Sequence, residues 1–218
     1  KHEIKKPFQN CNFFYIIVGT PGSGKTSFTF SMLTTKSKKD RIYYRVFQDI
    51  LYCCPKNSRS SVKDNPLKDL ETVYDDLSND IKDKIIDNKK MYDEHKEKNY
   101  QQLLIIDDCS SDLKKLQNIN LLSELSKNRR HLSVSIILLV QYLRDIPRSI
   151  RSQPSAVVIF KPGNGLDEEI IRKEYVNMKA DVFTEFMNFV YQDKHDQLFI
   201  DRTTRDIYKN LQIISINK

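Results

Sequence analysis

The sequence predicts an α/β protein built on a mostly parallel β-sheet flanked by helices, and three observations carry that prediction. Five short runs rich in β-branched and aromatic residues punctuate the 218-residue chain: Phe13–Val18, Arg41–Phe47, Gln102–Asp107, Val134–Val140 and Ala156–Phe160. Their apolar residues are nearly continuous rather than alternating, as in strands buried on both faces. Helical patterns separate them, and a β-α-β-α order favours parallel strands covered by helices on both sides. A chain of this length supports one sizeable core, read here as a single domain over residues 1–218 with room for an insertion.

Taken in order, "FFYIIV" is a strand that breaks into "GTPGSGKT", Gly19–Thr26, after which Phe28, Met32 and Leu33 follow at helical spacing. "RIYYRVF", Arg41–Phe47, reads as the second strand. In the polar segment Asn65–Asn99, Leu70, Val73, Leu77, Ile81 and Ile85 recur every three or four residues, which predicts a charged helical insertion with one apolar stripe. Lysines and acids alternate along it, so its charge reads as a solvated face. After the three remaining parallel strands, "QLFID" (Gln197–Asp201) and "LQIISI" (Leu211–Ile216) read as further strands near an edge.

The net charge of +7 permits contact with nucleic acid or an anionic surface and establishes neither. The four cysteines, Cys11, Cys53, Cys54 and Cys109, include no C-x-x-C pair, so they read as small core residues of a protein kept reduced inside a cell. The longest apolar runs fall far short of the ~20 residues that span a bilayer. No charged-then-apolar opening resembles a signal peptide. The first residue is lysine, as in an excerpt or a processed chain, and the expectation is a soluble protein.

The loop Gly19–Thr26 has the pattern G-x-x-x-x-G-K-T, that of a phosphate-binding P-loop. Gly19 and Gly24 let the backbone turn tightly and bring successive N–H groups toward a phosphate chain. Lys25 supplies a point charge for the β- and γ-phosphates, and the Thr26 hydroxyl is placed to ligate Mg²⁺. The helix that follows adds its positive end to the same anion. The expected nucleotide-binding residues are therefore Gly19, Thr20, Pro21, Gly22, Ser23, Gly24, Lys25, Thr26 and Ser27.

Hydrolysis needs a carboxylate on the metal side and a group that activates or positions water. "LLIIDDC" offers both at the end of a buried strand, the edge where a parallel sheet presents its ligands. Asp107 is the candidate metal-side acid, with Asp108 as general base or water-positioning group. The plainer alternative is an Asp-rich turn and cap, with "DDCSSD" opening the next helix. The strand "SVSIILLVQ" ends in Gln141, whose amide would contact the γ-phosphate or the attacking water if this strand lies between the two aspartates and the P-loop; the plainer alternative is an exposed strand terminus. "NRRH" before that strand also has a plain reading, as basic residues facing a helix C-terminus.

The series of P-loop, Asp-Asp after a buried strand, "SKNRRHLSVSIILLVQ" and "IPRSIRSQPSAVVIF" resembles the FtsK/HerA superfamily of ring-forming DNA-pumping ATPases. Within it, the chain is most similar to the genome-packaging ATPases of large DNA viruses and virophages, the poxvirus type included, over roughly Phe13–Tyr175. The resemblance implies a RecA-like P-loop NTPase core in which the Gln141 strand is inserted between the P-loop strand and the Asp-Asp strand. It also implies Gln141 as γ-phosphate sensor, and an arginine matching Arg130, with Arg129 adjacent, acting in trans on a neighbour's nucleotide. ATP and Mg²⁺ are the implied cofactors. The implied partners are double-stranded DNA, further copies in a hexameric or pentameric ring, and capsid or portal components. Asp-Asp departs from the Asp-Glu of much of the superfamily.

DNA pumping requires basic groups that contact phosphates rather than read bases. Lys36, Lys38, Lys39 and Arg41 after the first helix are candidates, as are Arg144, Arg148 and Arg151 after Gln141. Pro147 and the spacing of Arg148 and Arg151 suggest a short helix that presents both on one side. The competing function is a small-molecule or nucleoside kinase, which shares the P-loop but needs neither DNA nor a ring. A GTP switch fits less well, because no Asn/Thr-Lys-x-Asp motif follows a late strand.

Overall fold

A stretch such as Val134–Val140, apolar at every position but Ser135, needs cover on both faces. In the computed structural model, which describes residues 4–61, 65–67, 70–97 and 99–214, it forms a central strand with all seven residues buried. The strands among the described residues are β1 (Phe14–Val18), β2 (Asp49–Cys53), β3 (Val73–Tyr74), β4 (Gln102–Asp107), β5 (Val134–Val140), β6 (Ala156–Phe160), β7 (Gln197–Asp201), β8 (Ile207–Lys209) and β9 (Gln212–Ile214). They make one sheet in the order β3-β2-β4-β5-β1-β6-β7-β8-β9. Pairing is parallel from β3 through β6 and antiparallel from β6 to β9. The expected later strands are there as β7 and, over 212–214, β9, with residues 215–216 of that run outside the described residues; β8 is a further strand that its three residues were too short to signal.

The helices are α1 (Lys25–Thr34), α2 (Lys56–Ser61), α3 (Asn79–Glu94), α4 (Leu116–Asn128), α5 (Arg148–Arg151), α6 (Gly165–Ile170) and α7 (Ala180–Val190). Two cores sandwich the sheet. Ile136, Leu138 and Val140 of β5 join one with Ile81 and Ile85 of α3, Leu122 of α4 and Phe183 of α7. Ile137 and Leu139 join the other with Phe30, Met32 and Leu33 of α1. This period-two split of one strand between two cores is the pleat at work. No helix among the described residues is long and apolar enough to cross a membrane.

Two sequence expectations are corrected. Arg41–Phe47 is not a strand; the second strand is Asp49–Cys53. The aromatic residues that suggested a strand pack on the sheet rather than in it. Tyr43 is buried, with its ring 5.0 Å from Phe13 and 5.7 Å from Phe47, and its hydroxyl donates to the Gln9 carbonyl. Arg45 has φ 57°, which no strand accommodates.

The segment Asn65–Asn99 is not one helix either. Its regular apolar spacing divides between the two faces of the sheet: Leu70 and Val73 pack on the α1 side, Leu77, Ile81 and Ile85 on the α4 side. The chain changes faces by adding β3 to the sheet edge, and among the described residues of the segment only Asn79–Glu94 is helical. The buried Asp112 carboxylate accepts the Leu77 amide at 3.1 Å just ahead of this helix.

Candidate active site

The parallel register brings the carboxyl ends of β1, β4 and β5 to one edge, and the predicted site assembles there. β5 pairs with β1 on one side and β4 on the other, so the strand ending in Gln141 lies between those carrying the P-loop and Asp107. The Gly19 amide donates to the Val140 carbonyl at 3.1 Å, which ties the start of the loop to the residue before Gln141. Gly22 (φ 74°) and Gly24 (φ 105°) hold left-handed backbone that favours glycine. A Cβ on Gly19 would lie 2.3 Å from the Ser23 hydroxyl. That hydroxyl is buried with no hydrogen-bond partner among the described residues, so the loop carries a polar group that a phosphate oxygen would satisfy.

Lys25 and Thr26 open α1. The Thr26 hydroxyl donates to Asp107 Oδ2 at 3.4 Å, which places the two expected Mg²⁺-side oxygens together. Asp107 is 5 % exposed, and burial pushes its pKa up to about 6, although Lys25 and the Thr26 bond pull it down. Among the described residues there is no cluster of three or more His, Cys, Asp and Glu that would cage a metal. A cation shared between one or two side-chain oxygens and substrate phosphates requires no such cage, and the pair Thr26–Asp107 fits Mg²⁺ bound that way.

Asp108 turns away from the strand with φ 57° into solvent. Two side chains hold it: Ser58 Oγ donates to Oδ2 at 2.5 Å and Gln141 Nε2 donates to Oδ1 at 3.4 Å. Ser58, on α2, was not expected from the sequence, because nothing local ties a serine to a carboxylate fifty residues on. His195 was missed for the same reason. It arrives on the loop before β7 and sets Nδ1 2.9 Å from the Ser23 carbonyl. Gly163 also approaches the P-loop, since a Cβ there would meet Thr20 Cγ2 at 2.9 Å. Cys53 and Cys109 are buried free thiols with sulfurs 3.6 Å apart, packed as core residues.

The two arginines before β5 differ. Arg129 is half-buried and donates to the carbonyls of Asn12 (2.8 Å) and Ser126 (2.6 Å), with its pKa lowered by burial and by the Arg130 charge. Arg130 is exposed, with no hydrogen bond or ion pair to its side chain among the described residues. It also lies at the opposite sheet edge from its own P-loop. Val134 pairs with Gln102 and Leu139 with Asp107. Five residues at about 3.3 Å each separate those levels by roughly 17 Å, beyond an arginine's reach.

The basic candidates also divide. Lys36, Lys38 and Lys39 are exposed beyond α1, and Lys5 Nζ donates to the Lys39 carbonyl at 2.7 Å. Arg41 is half-buried, whereas Arg144 is exposed with its guanidinium 4.6 Å from the Tyr142 ring centroid. The short helix after Pro147 forms as expected, but its two arginines do different things. Arg148 is exposed, while Arg151 pairs with both Glu174 oxygens at 3.0 and 2.7 Å and donates to the Ile146 carbonyl. That bidentate pair fastens α5 to the segment after α6 and occupies the Arg151 guanidinium within the fold.

The chain is 32% identical to uncharacterized protein 075L of Invertebrate iridescent virus 6 over 136 residues, 62% of this chain and 52% of that protein. It is 28% identical to uncharacterized protein 015R of Frog virus 3 over 196 residues, 86% of this chain and 56% of that one. It thus spans about half the length of these curated relatives. Among solved structures it is similar to the genome packaging NTPase B204 from Sulfolobus turreted icosahedral virus 2 in complex with ATP-gammaS. The TM-score is 0.60 at 17% identity, covering 96% of this chain and 100% of that one, a likeness of fold. The sequence profile of the Poxvirus A32 protein matches residues 2–204, and with the P-loop, Asp107 and Gln141 converging on one sheet edge, the chain belongs to the Poxvirus A32 protein family.

Proposed function

We propose that this chain is an ATPase that drives double-stranded DNA into a viral capsid, hydrolysing ATP at the subunit interfaces of a homo-oligomeric ring, hexameric or pentameric. The observation that carries the reading is the division of the site between two sheet edges. P-loop, Asp107, Asp108 and Gln141 gather at one, while an Arg130 unpartnered among the described residues stands at the other, beyond reach of its own nucleotide. Family membership supports it, as does the likeness to a protein described as a genome packaging NTPase.

In this reading the loop amides and Lys25 hold the phosphate chain, and Thr26 and Asp107 would hold Mg²⁺, which would supply charge neutralisation for the phosphates. Asp108, steadied by Ser58 and Gln141, orients the attacking water and accepts its proton. Gln141 reports the γ-phosphate. A neighbour's Arg130 stabilises the charge that builds on the transferred phosphoryl group. Lys38, Lys39 and Arg148 are exposed for DNA phosphates, whereas Arg151 serves the fold first. Capsid or portal components complete the machine.

ATP turnover with and without linear double-stranded DNA tests the reading. DNA should raise turnover, with the stimulation falling as salt releases its phosphate contacts, and Lys25→Ala should abolish both rates. Turnover that ignores DNA in an assembled protein would overturn the pump and favour a kinase with a small phosphate acceptor. Ser58→Ala should lower kcat about tenfold with little change in KM, the effect of one hydrogen bond to a charged group. An unchanged kcat would remove Ser58 from the site.

A further inference from the structure

His195 sits on a turn built to hold it. The Asp196 carboxylate accepts the amides of Gln192 (2.9 Å) and Asp193 (2.8 Å) and the Asn210 side-chain amide (2.6 Å). On the other side, the buried Tyr191 hydroxyl donates to the Ile159 carbonyl at 2.9 Å. His195 is thus presented from between β6 and the β7–β8 hairpin. Its Nδ1 lies 2.9 Å from the Ser23 carbonyl, and because a carbonyl only accepts, Nδ1 carries the proton.

The bond matters because of where Ser23 stands. The peptide between Ser23 and Gly24 is planar and trans, so its carbonyl and the Gly24 N–H point in opposite directions. Fixing the carbonyl outward on His195 fixes the Gly24 N–H inward, toward the phosphate cradle. Gly24 holds φ 105° with no side chain to restrain it; its own carbonyl accepts the Phe28 amide at 2.8 Å, and the Ser23 carbonyl is taken by His195. A Cβ on Gly24 would stand 3.5 Å from Nδ1, in ordinary contact with the ring.

We propose that His195 is a positioning residue for nucleotide binding, locking the Ser23–Gly24 peptide through its Nδ1–H so that the Gly24 amide faces the phosphates. The bond also ties the phosphate loop to the antiparallel end of the sheet. The inference rests on the reading of Gly19–Thr26 as the ATP-binding loop.

Three variants of the full chain test it. His195→Ala removes ring and donor, His195→Phe keeps a ring without the donor, and His195→Asn places an amide N–H where Nδ1 stood. Calorimetric titration with a non-hydrolysable ATP analogue should show Kd raised about three- to tenfold for Ala and Phe, the loss of about one hydrogen bond, with Asn within about twofold of the parent. KM for ATP should follow Kd while kcat changes little, as for an interaction made equally in ground and transition states. Parental affinity in Ala or Phe, or an Asn variant as weak as Ala, would overturn the positioning role. A parent chain that binds no nucleotide would overturn the underlying reading instead, so the two failures are distinguishable.

Discussion

Arg130→Ala is expected to bind ATP as tightly as the parent chain and to turn it over about 10³-fold more slowly, the scale of removing an arginine that stabilises a phosphoryl transition state. Binding is spared because Arg130 lies at the far edge of its own sheet, touching nothing in its own P-loop. The loss becomes a test of trans action when two inactive variants are mixed. Lys25→Ala subunits lack a working P-loop but carry Arg130; Arg130→Ala subunits carry the reverse. In a head-to-tail ring mixed at random in equal parts, roughly a quarter of the interfaces pair an intact loop with an intact arginine. Turnover should reappear on mixing, and a mixture no more active than its components would sink the assignment. Arg129→Ala separates the neighbours: with its two carbonyl partners orphaned, it should cost stability more than turnover.

Asp107→Asn should reduce turnover by about 10²–10³-fold while making the ligand-free protein more stable at neutral pH. The sign follows from burial. Burial pushes the carboxyl up to about 6 in the fold, against 3.8 for an ordinary aspartate. Its raised pKa therefore favours folding fully below pH 3.8, and that contribution is lost as pH rises through 6. Above this, the fold carries a buried anion at a cost of up to about 3 kcal/mol. Asparagine removes the charge, so the melting temperature without nucleotide should exceed the parent's at pH 8, with the gain fading between pH 6 and 4. A variant less stable at pH 8 would show that the carboxylate serves structure rather than a ligand. The arrangement fits a group held ready for a cation, at the expense of the empty fold.

What the sequence made legible was local. The P-loop, Asp107, Asp108 and Gln141 each end or directly follow a strand in consecutive residues, so strand, loop and polar terminus could be read together. Arg41–Phe47 misled because Tyr43 and Phe47 satisfy the composition of a strand while packing their rings over one. The true strand, "DILYC", is short and opens on an aspartate. In Asn65–Asn99 a helical spacing was distributed over two faces by a two-residue edge strand that composition could not announce. Ser58 and His195 contact the site across long stretches of chain, and their neighbours in sequence carry no signature. Arg151 looked like the twin of Arg148 until Glu174, twenty-three residues on, proved to be its partner.

The placement of β5 has a mechanical implication. One end of this strand holds the P-loop through the Val140 carbonyl and continues into Gln141; the other begins four residues after Arg130. Hydrogen-bonded to parallel neighbours along both sides, its seven residues form a stiff rod about 23 Å long. A push along its axis at the Gln141 end would arrive at the Arg130 end with little lost to bending. If the chain assembles in the proposed ring with Arg130 at the next subunit's pocket, this strand would join one nucleotide site to the next, and the direction of the rods would give the ring a sense of rotation.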